Sequence, residues 1–147
     1  MTTTVAELFT EGHRASWINP ASRTSAEATT GWLSMRDYHK FVAFIQCGLN
    51  AANATVDFTI YQATDDAGTG AKVVTGKAIT TLGNANDNVV AAIELDSSEL
   101  DVTGNFDWIN VQMLVGGAAA CLTAALCFRY QPRFKPVGVT NLQEVVN

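Results

Sequence analysis

Two histidines, three cysteines and fourteen acidic side chains are the groups in this sequence with the most chemistry available to them. His13 and His39 stand in neither an HxH nor an HExxH spacing, so a zinc site lacks its ligands. No GxSxG turn presents a serine, and no Ser or Cys falls in a motif that supplies a base and a third orienting group. Cys47, Cys121 and Cys127 are odd in number with no CxxC pair, which argues against a disulfide framework and for small core or interface residues. If Cys121 and Cys127 share a strand, a rise of about 3.3 Å per residue sets them roughly 20 Å apart, beyond disulfide reach. The segment GAKVVTGK from Gly70 approaches a phosphate-binding loop. Five residues separate Gly70 from Gly76 where that loop has four, and Ala78 stands where a magnesium-binding hydroxyl belongs. Asp65, Asp66, Asp96, Asp101 and Asp107 would offer calcium its oxygen ligands if their loops converged, but they do not follow the EF-hand order, and solvated loop acids are the simpler reading. Trp17, Trp32, Tyr38, Tyr61, Trp108 and Tyr130 could stack on sugar rings as a carbohydrate-binding module, although their alternation along the chain is that of core or interface packing. The chemistry-bearing residues thus point to no enzyme, no metal and no cofactor.

The elements that must position these residues repeat with a period of two. Val56, Phe58 and Ile60 alternate with Asp57, Thr59 and Tyr61. Val89, Ala91, Ile93 and Leu95 alternate with Asn88, Val90, Ala92 and Glu94, and Ile109, Val111, Met113 and Val115 with Trp108, Asn110, Gln112 and Leu114. From Phe41 the run FVAFIQCGL is apolar on both sides, as in a central strand or one whose second face meets a partner. Leu122, Ala124, Leu126, Phe128 and Tyr130 make one face of a further strand, and Cys121, Thr123, Ala125, Cys127 and Arg129 the other. Gly116 and Gly117 can take the positive φ of a tight turn, so Trp108 to Tyr130 reads as one long hairpin. Turn-rich loops separate strands every 10–15 residues or so, and helix is confined to short turns at Val5 to Phe9 and Ser98 to Leu100. The fold class expected is all-β, an antiparallel β-sandwich of jelly-roll type with extended N- and C-terminal arms. The expected limits are 1–31 for the N-terminal arm and first strand or strands, 32–131 for the sandwich, and 132–147 for the C-terminal arm.

At 147 residues the chain is the size of one domain. Only 16% of it is charged while 48% is hydrophobic, which excludes disorder for most of its length and leaves much of the surface neutral or covered by a neighbour. A net charge of −5 argues against a nucleic-acid-binding surface. The apolar stretch from Val111 to Phe128 is broken by Gln112, Thr123 and the glycine pair, so no membrane span is expected. No basic, then apolar, leader is visible at the start, and folding in the cytoplasm is expected. Charge is distributed unevenly: residues 57–107 carry nine acids and two lysines, whereas Arg129, Arg133 and Lys135 make the C-terminal part basic. A basic tail beside acidic loops is expected to dock on a surface other than the one those loops present. Both ends carry isolated large side chains, and the expected partner-contacting residues are Phe9, Trp17, Ile18, Arg129, Arg133, Phe134, Lys135 and Val137.

The stretch LSMRDYHKFVAFIQCGLNAANATVDFTIYQATDDAGTGAKVVTGKAIT from Leu33, with the later ANDNVVAAIELDSSELD and FDWINVQMLVGG, resembles small structural proteins of tailed bacteriophages, most of all head decoration (cement) proteins. The likeness rests on the RDYHK strand entry, the TVDFTIYQATD strand leading to a GTGAK turn, the ELD loop and the paired glycines, and covers residues 32–131. It implies a β-sandwich seated on an assembled capsid shell, often at local symmetry axes and often as a trimer, with the major capsid protein and further copies of itself as partners. It carries over no catalytic residue. A neck, tail or baseplate component of the same particle, and a carbohydrate- or receptor-binding module, are the alternatives.

Overall fold

The computed structural model describes residues 14–134. The strands in chain order are β1 (Arg14–Arg23), β2 (Glu27–Thr29), β3 (Leu33–Ser34), β4 (Tyr38–Asn50), β5 (Thr55–Ala63), β6 (Lys72–Ala78), β7 (Val89–Asp96), β8 (Trp108–Gly116) and β9 (Cys121–Pro132). The helical content among the described residues is a 3-10 turn at Ser97–Glu99, one residue from its expected place. Two antiparallel sheets form a sandwich: one runs β1-β9-β4-β7, and the other β2-β8-β5-β6 with β3 also paired to β8. The all-β antiparallel expectation holds.

The alternation read from the sequence sets the core. Phe41, Ala43, Ile45 and Cys47 point inward from β4, Val56, Phe58 and Ile60 from β5, Ile93 and Leu95 from β7, and Ile109, Val111, Met113 and Val115 from β8. Each of these is the apolar set of its strand, and burying it is the main favourable term in folding. Strand β9 is different. Its inward set is the small one, Cys121, Thr123, Ala125, Cys127 and Arg129, while the larger Leu122 and Leu126 face out.

One expectation about the strands is corrected. The stretch Trp108 to Tyr130 is not a hairpin, because β8 and β9 belong to opposite sheets and the glycine pair carries the chain across the sandwich as an arch. At the crossing Gly117 has φ +80°, and a Cβ there would lie 1.7 Å from the carbonyl oxygen of Asn53, so the turn is sealed against the neighbouring loop. Alternation is the same for a hairpin and an arch; the difference lies in partners, and β8 finds β5 while β9 finds β4 and β1. Within the segment expected to hold the N-terminal arm and first strand or strands, β1 pairs with β9 from Arg14↔Arg129 to Arg23↔Cys121. Pro20 sits where its register shifts, between Ile18 and Ala21, a place that tolerates a missing N–H. Of the basic tail, Arg133 is described and is anchored at two points. The Arg133 N–H donates to the Asp37 carbonyl, and its guanidinium donates to Ser97 Oγ at 3.2 Å.

Candidate functional site

Four of the five carboxylates considered as metal ligands are engaged separately. Asp96 pairs with Lys40, Asp107 with Arg36 and Asp101 with Lys72, while the Asp65 carboxylate accepts the N–H groups of Ala67 and Thr69 in the loop before β6. Among the described residues no group of three or more His, Cys, Asp and Glu side chains is placed to hold a metal ion. The GAKVVTGK segment is mostly strand β6, which leaves no loop to cradle a phosphate. The three thiols are buried, and loss of solvation pushes Cys127 up to about 12.

The acids serve the fold. Asp96 caps the 3-10 turn, accepting from Ser98 N and Ser98 Oγ, while Glu99 reaches back to Asp96 N at 2.8 Å, a reciprocal capping box. The Lys40 ammonium, followed by the Ser98 donors, holds the Asp96 carboxyl well below the ordinary carboxylate range. Glu99 is lowered by the Asp96 N–H and by Lys77, whose ammonium lies 2.8 Å away and also donates to the Glu94 carbonyl. This network ties β4, β6 and β7 together at one end of the sandwich.

What stands out as a surface is the outer face of the β1-β9-β4-β7 sheet. Trp17 lies opposite Leu126, Leu126 opposite Phe44, and Phe44 opposite Ala92, so a row of four uncharged side chains crosses all four strands. Trp17 is 46% exposed, Phe44 41%, Leu122 47% and Leu126 39%. A shallow groove of about 460 Å³ lies beside this row, lined by residues that include Pro20, Gln46, Val90, Leu122 and Ala124. The opposite outer face is polar: Asp57, Thr59 and Tyr61 of β5 lie beside Leu114, Gln112 and Asn110 of β8. Its exposed leucine, Leu114, pairs with Asp57 on one side and Glu27 on the other.

The residues expected to meet a partner are dispersed. Trp17 is in the exposed row. Ile18, the next residue, is buried in the core as its alternate position on β1 requires, which removes it from any outer surface. Arg129 also points inward: its guanidinium donates to the Ser34 carbonyl at 2.9 Å and lies over the Tyr38 ring, so it joins β9 to the opposite sheet's β3. Arg133 is on the loop side just described, and Phe134 is exposed. Phe9, Lys135 and Val137 lie outside the described residues. Phe44, Val90, Leu122 and Leu126 were not anticipated as surface. Their signal was present in the doubly apolar β4 run and in the larger alternate set of β9. The aromatics do not form one platform: Trp17 is on the apolar face, Trp32 packs against Gly68, Trp108 lies near Arg36, and Tyr38 is buried.

No protein-family model matches the sequence, and no curated protein matches it. Among solved structures, a chain of the infectious bursal disease virus Gx strain aligns at TM-score 0.48 and 8% identity over 83% of this chain and 33% of its own. This chain therefore spans about a third of that one. Desmodium yellow mottle tymovirus aligns at TM-score 0.41 and 13% identity, over 86% of this chain and 90% of its own. A Bacillus endospore appendage from a family of disulfide-linked pili aligns at TM-score 0.41 and 16% identity, over 82% and 87%. Likeness at this level assigns no role.

Proposed function

We propose that this chain is a structural virion protein of a tailed bacteriophage that binds the outside of the capsid and stabilises the shell, made and folded in the host cytoplasm. The observation that carries the proposal is where the described chain begins and ends. Arg14 at the start of β1 lies opposite Arg129 near the end of β9, so the described chain begins and ends on neighbouring strands at the same end of the sandwich. Segments continuing from both strands can reach one partner. Phe9, Lys135 and Val137 then belong to the contact with the major capsid protein, with Phe134 and Arg133 at its root. Each Å² of apolar surface they bury contributes about 25 cal/mol toward holding neighbouring subunits against outward pressure. The resemblance of residues 32–131 to head decoration proteins supplies the particle.

The test is a pair of particle reconstructions, one with the intact chain and one with residues 1–13 and 135–147 removed. Density for the intact chain repeated over the whole shell, lost on removal of the two segments together with a lower particle disruption temperature, is the expected result. Unchanged occupancy would sink the role given to the chain ends. A few copies at one vertex would place the protein in the neck, tail or baseplate. Glycan binding lost on Trp17→Ala would favour a carbohydrate- or receptor-binding module, a reading that the dispersed aromatics do not support.

A further inference from the structure

The apolar face of the four-stranded sheet has no counterpart within the described fold, because the sandwich is closed by the other side of the same sheet. We propose that a second copy of this chain covers it, the two four-stranded sheets packing face to face about a two-fold axis.

Three observations select that occupant. The first is charge. The chain carries −5 overall, and its acids are concentrated between residues 57 and 107, which supply the strands and loops of most other surfaces. Two copies repel one another across those surfaces. The row Trp17, Leu126, Phe44, Ala92 and its neighbours Leu122, Ala124, Gln46 and Val90 contain no charge; Glu94, Lys40 and Asp96 flank it on β7 and β4, and Arg23, whose guanidinium donates to Thr123, flanks the groove. An identical partner meets no like charge there, whereas a strongly basic or acidic partner gains nothing.

The second is area. The exposed parts of Trp17, Phe44, Val90, Leu122 and Leu126 amount to roughly 500 Å² on one copy, at the upper end for an apolar patch on a monomer. Doubled by symmetry, with the polar rim added, this reaches the roughly 1,200–2,000 Å² of a specific interface. The third is shape. The face holds both a ridge at Trp17 and the groove of about 460 Å³ lined by Leu122, Ala124, Gln46 and Val90, two to four residues along β9 from the residue opposite Trp17. A two-fold axis brings the ridge of each copy to the groove of the other, which is the self-complementarity an isologous contact requires. Aligned sheets packing about 10 Å apart through interdigitated side chains are the ordinary geometry for such a pairing. No arm residue takes part, so this inference stands apart from capsid binding.

Sedimentation velocity on the full 147-residue chain, from about 1 to about 100 μM, tests it. The expected result is a reversible dimer whose dissociation constant rises about tenfold or more in Leu126→Lys and in Val90→Lys. Leu114→Lys, on the outer face of the other sheet, should leave it unchanged. Val90 is 65% exposed, so its variant keeps the fold and decides the matter even if Leu126→Lys does not fold. A wild-type monomer throughout the range overturns the proposal, and is what results if segments of the same chain cover the face. A trimer, or a dimer indifferent to both lysine variants, overturns it equally. Each of these failures leaves capsid binding through the chain ends untouched, because that is read on particles with the two segments removed.

Discussion

At the scale of single residues, chemistry-bearing side chains in this protein are spent on structure. Arg129 is the strongest example. A guanidinium buried to 7% exposure, donating to the Ser34 carbonyl and stacked on Tyr38, links the two sheets where a methylene chain alone would leave a carbonyl unsatisfied. Arg129→Ala should therefore lower stability by about 2–4 kcal/mol in urea unfolding, in the range for breaking a buried charged hydrogen bond. A change below half a kcal/mol, near the scatter of surface substitutions, would mean that Arg129 is not structural. The thiols make a second case. Burial raises all three, Cys127 to about 12, so at pH 8 almost none of Cys127 is thiolate. An aromatic disulfide reagent should label no cysteine of the native protein within minutes and all three in urea. Labelling of native Cys127 would overturn its assignment to the core. The role of Arg129 was not legible in the sequence, where it reads as part of a basic tail, whereas the cysteines read as core or interface residues and are core.

At the scale of elements, the arch between β8 and β9 is the most sensitive point. Gly117 and Gly76 both have positive φ, +80° and +74°, but a Cβ at Gly76 meets nothing within 4 Å while one at Gly117 meets the Asn53 carbonyl. Gly76→Ala should cost about 1–2 kcal/mol, the strain of a left-handed non-glycine residue. Gly117→Ala must also move the loop containing Asn53, and should cost clearly more, or prevent folding; equal urea midpoints for the two would contradict the arch geometry. The capped 3-10 turn gives a pH prediction. Asp96, Glu99 and Asp101 are all held below their ordinary values, by Lys40, by the Asp96 N–H with Lys77, and by Lys72 respectively. A lowered folded-state value means the folded protein releases these protons more readily than the unfolded chain. The stabilisation is then fully present above the unfolded range near pH 4 and is lost as pH falls through the folded values. The urea midpoint should hold from pH 7 to about 5 and drop below about 4, less steeply in Asp96→Asn. An equally steep drop in that variant would remove Asp96 from the account.

At the scale of the whole molecule, β1 and β9 meet from opposite ends of the described chain, Arg14 opposite Arg129. Such remote pairing closes late, and folding of all-β domains dominated by it takes about milliseconds to seconds. Deleting residues 1–23 should remove β1, uncover an edge of β9 and open the core at Ile18. That variant should scatter light at concentrations where the intact chain is clear; a soluble, equally stable product would show that β1 is dispensable. The same pairing brings the first and last described strands side by side and completes the face on which Trp17, Leu126 and Phe44 align. Both interaction surfaces argued above thus depend on a contact that no local pattern announces.

By itself, the sequence determined that the fold is all-β, that Phe58, Ile93 and Val111 and the residues two positions from them on their strands point inward, and that Gly116 and Gly117 mark a turn. These follow from a period of two and from glycine's φ range, which are local properties of the backbone. Tertiary structure alone decided that β8 and β9 lie in opposite sheets, that the small side of β9 is the inner one, and that Ile18 and Arg129 are core while Phe44, Leu122 and Leu126 are surface. Inside and outside on a strand with two apolar faces depend on which sheet closes over it, and that choice belongs to partners up to about a hundred residues away, as in the Ser22↔Leu122 pair.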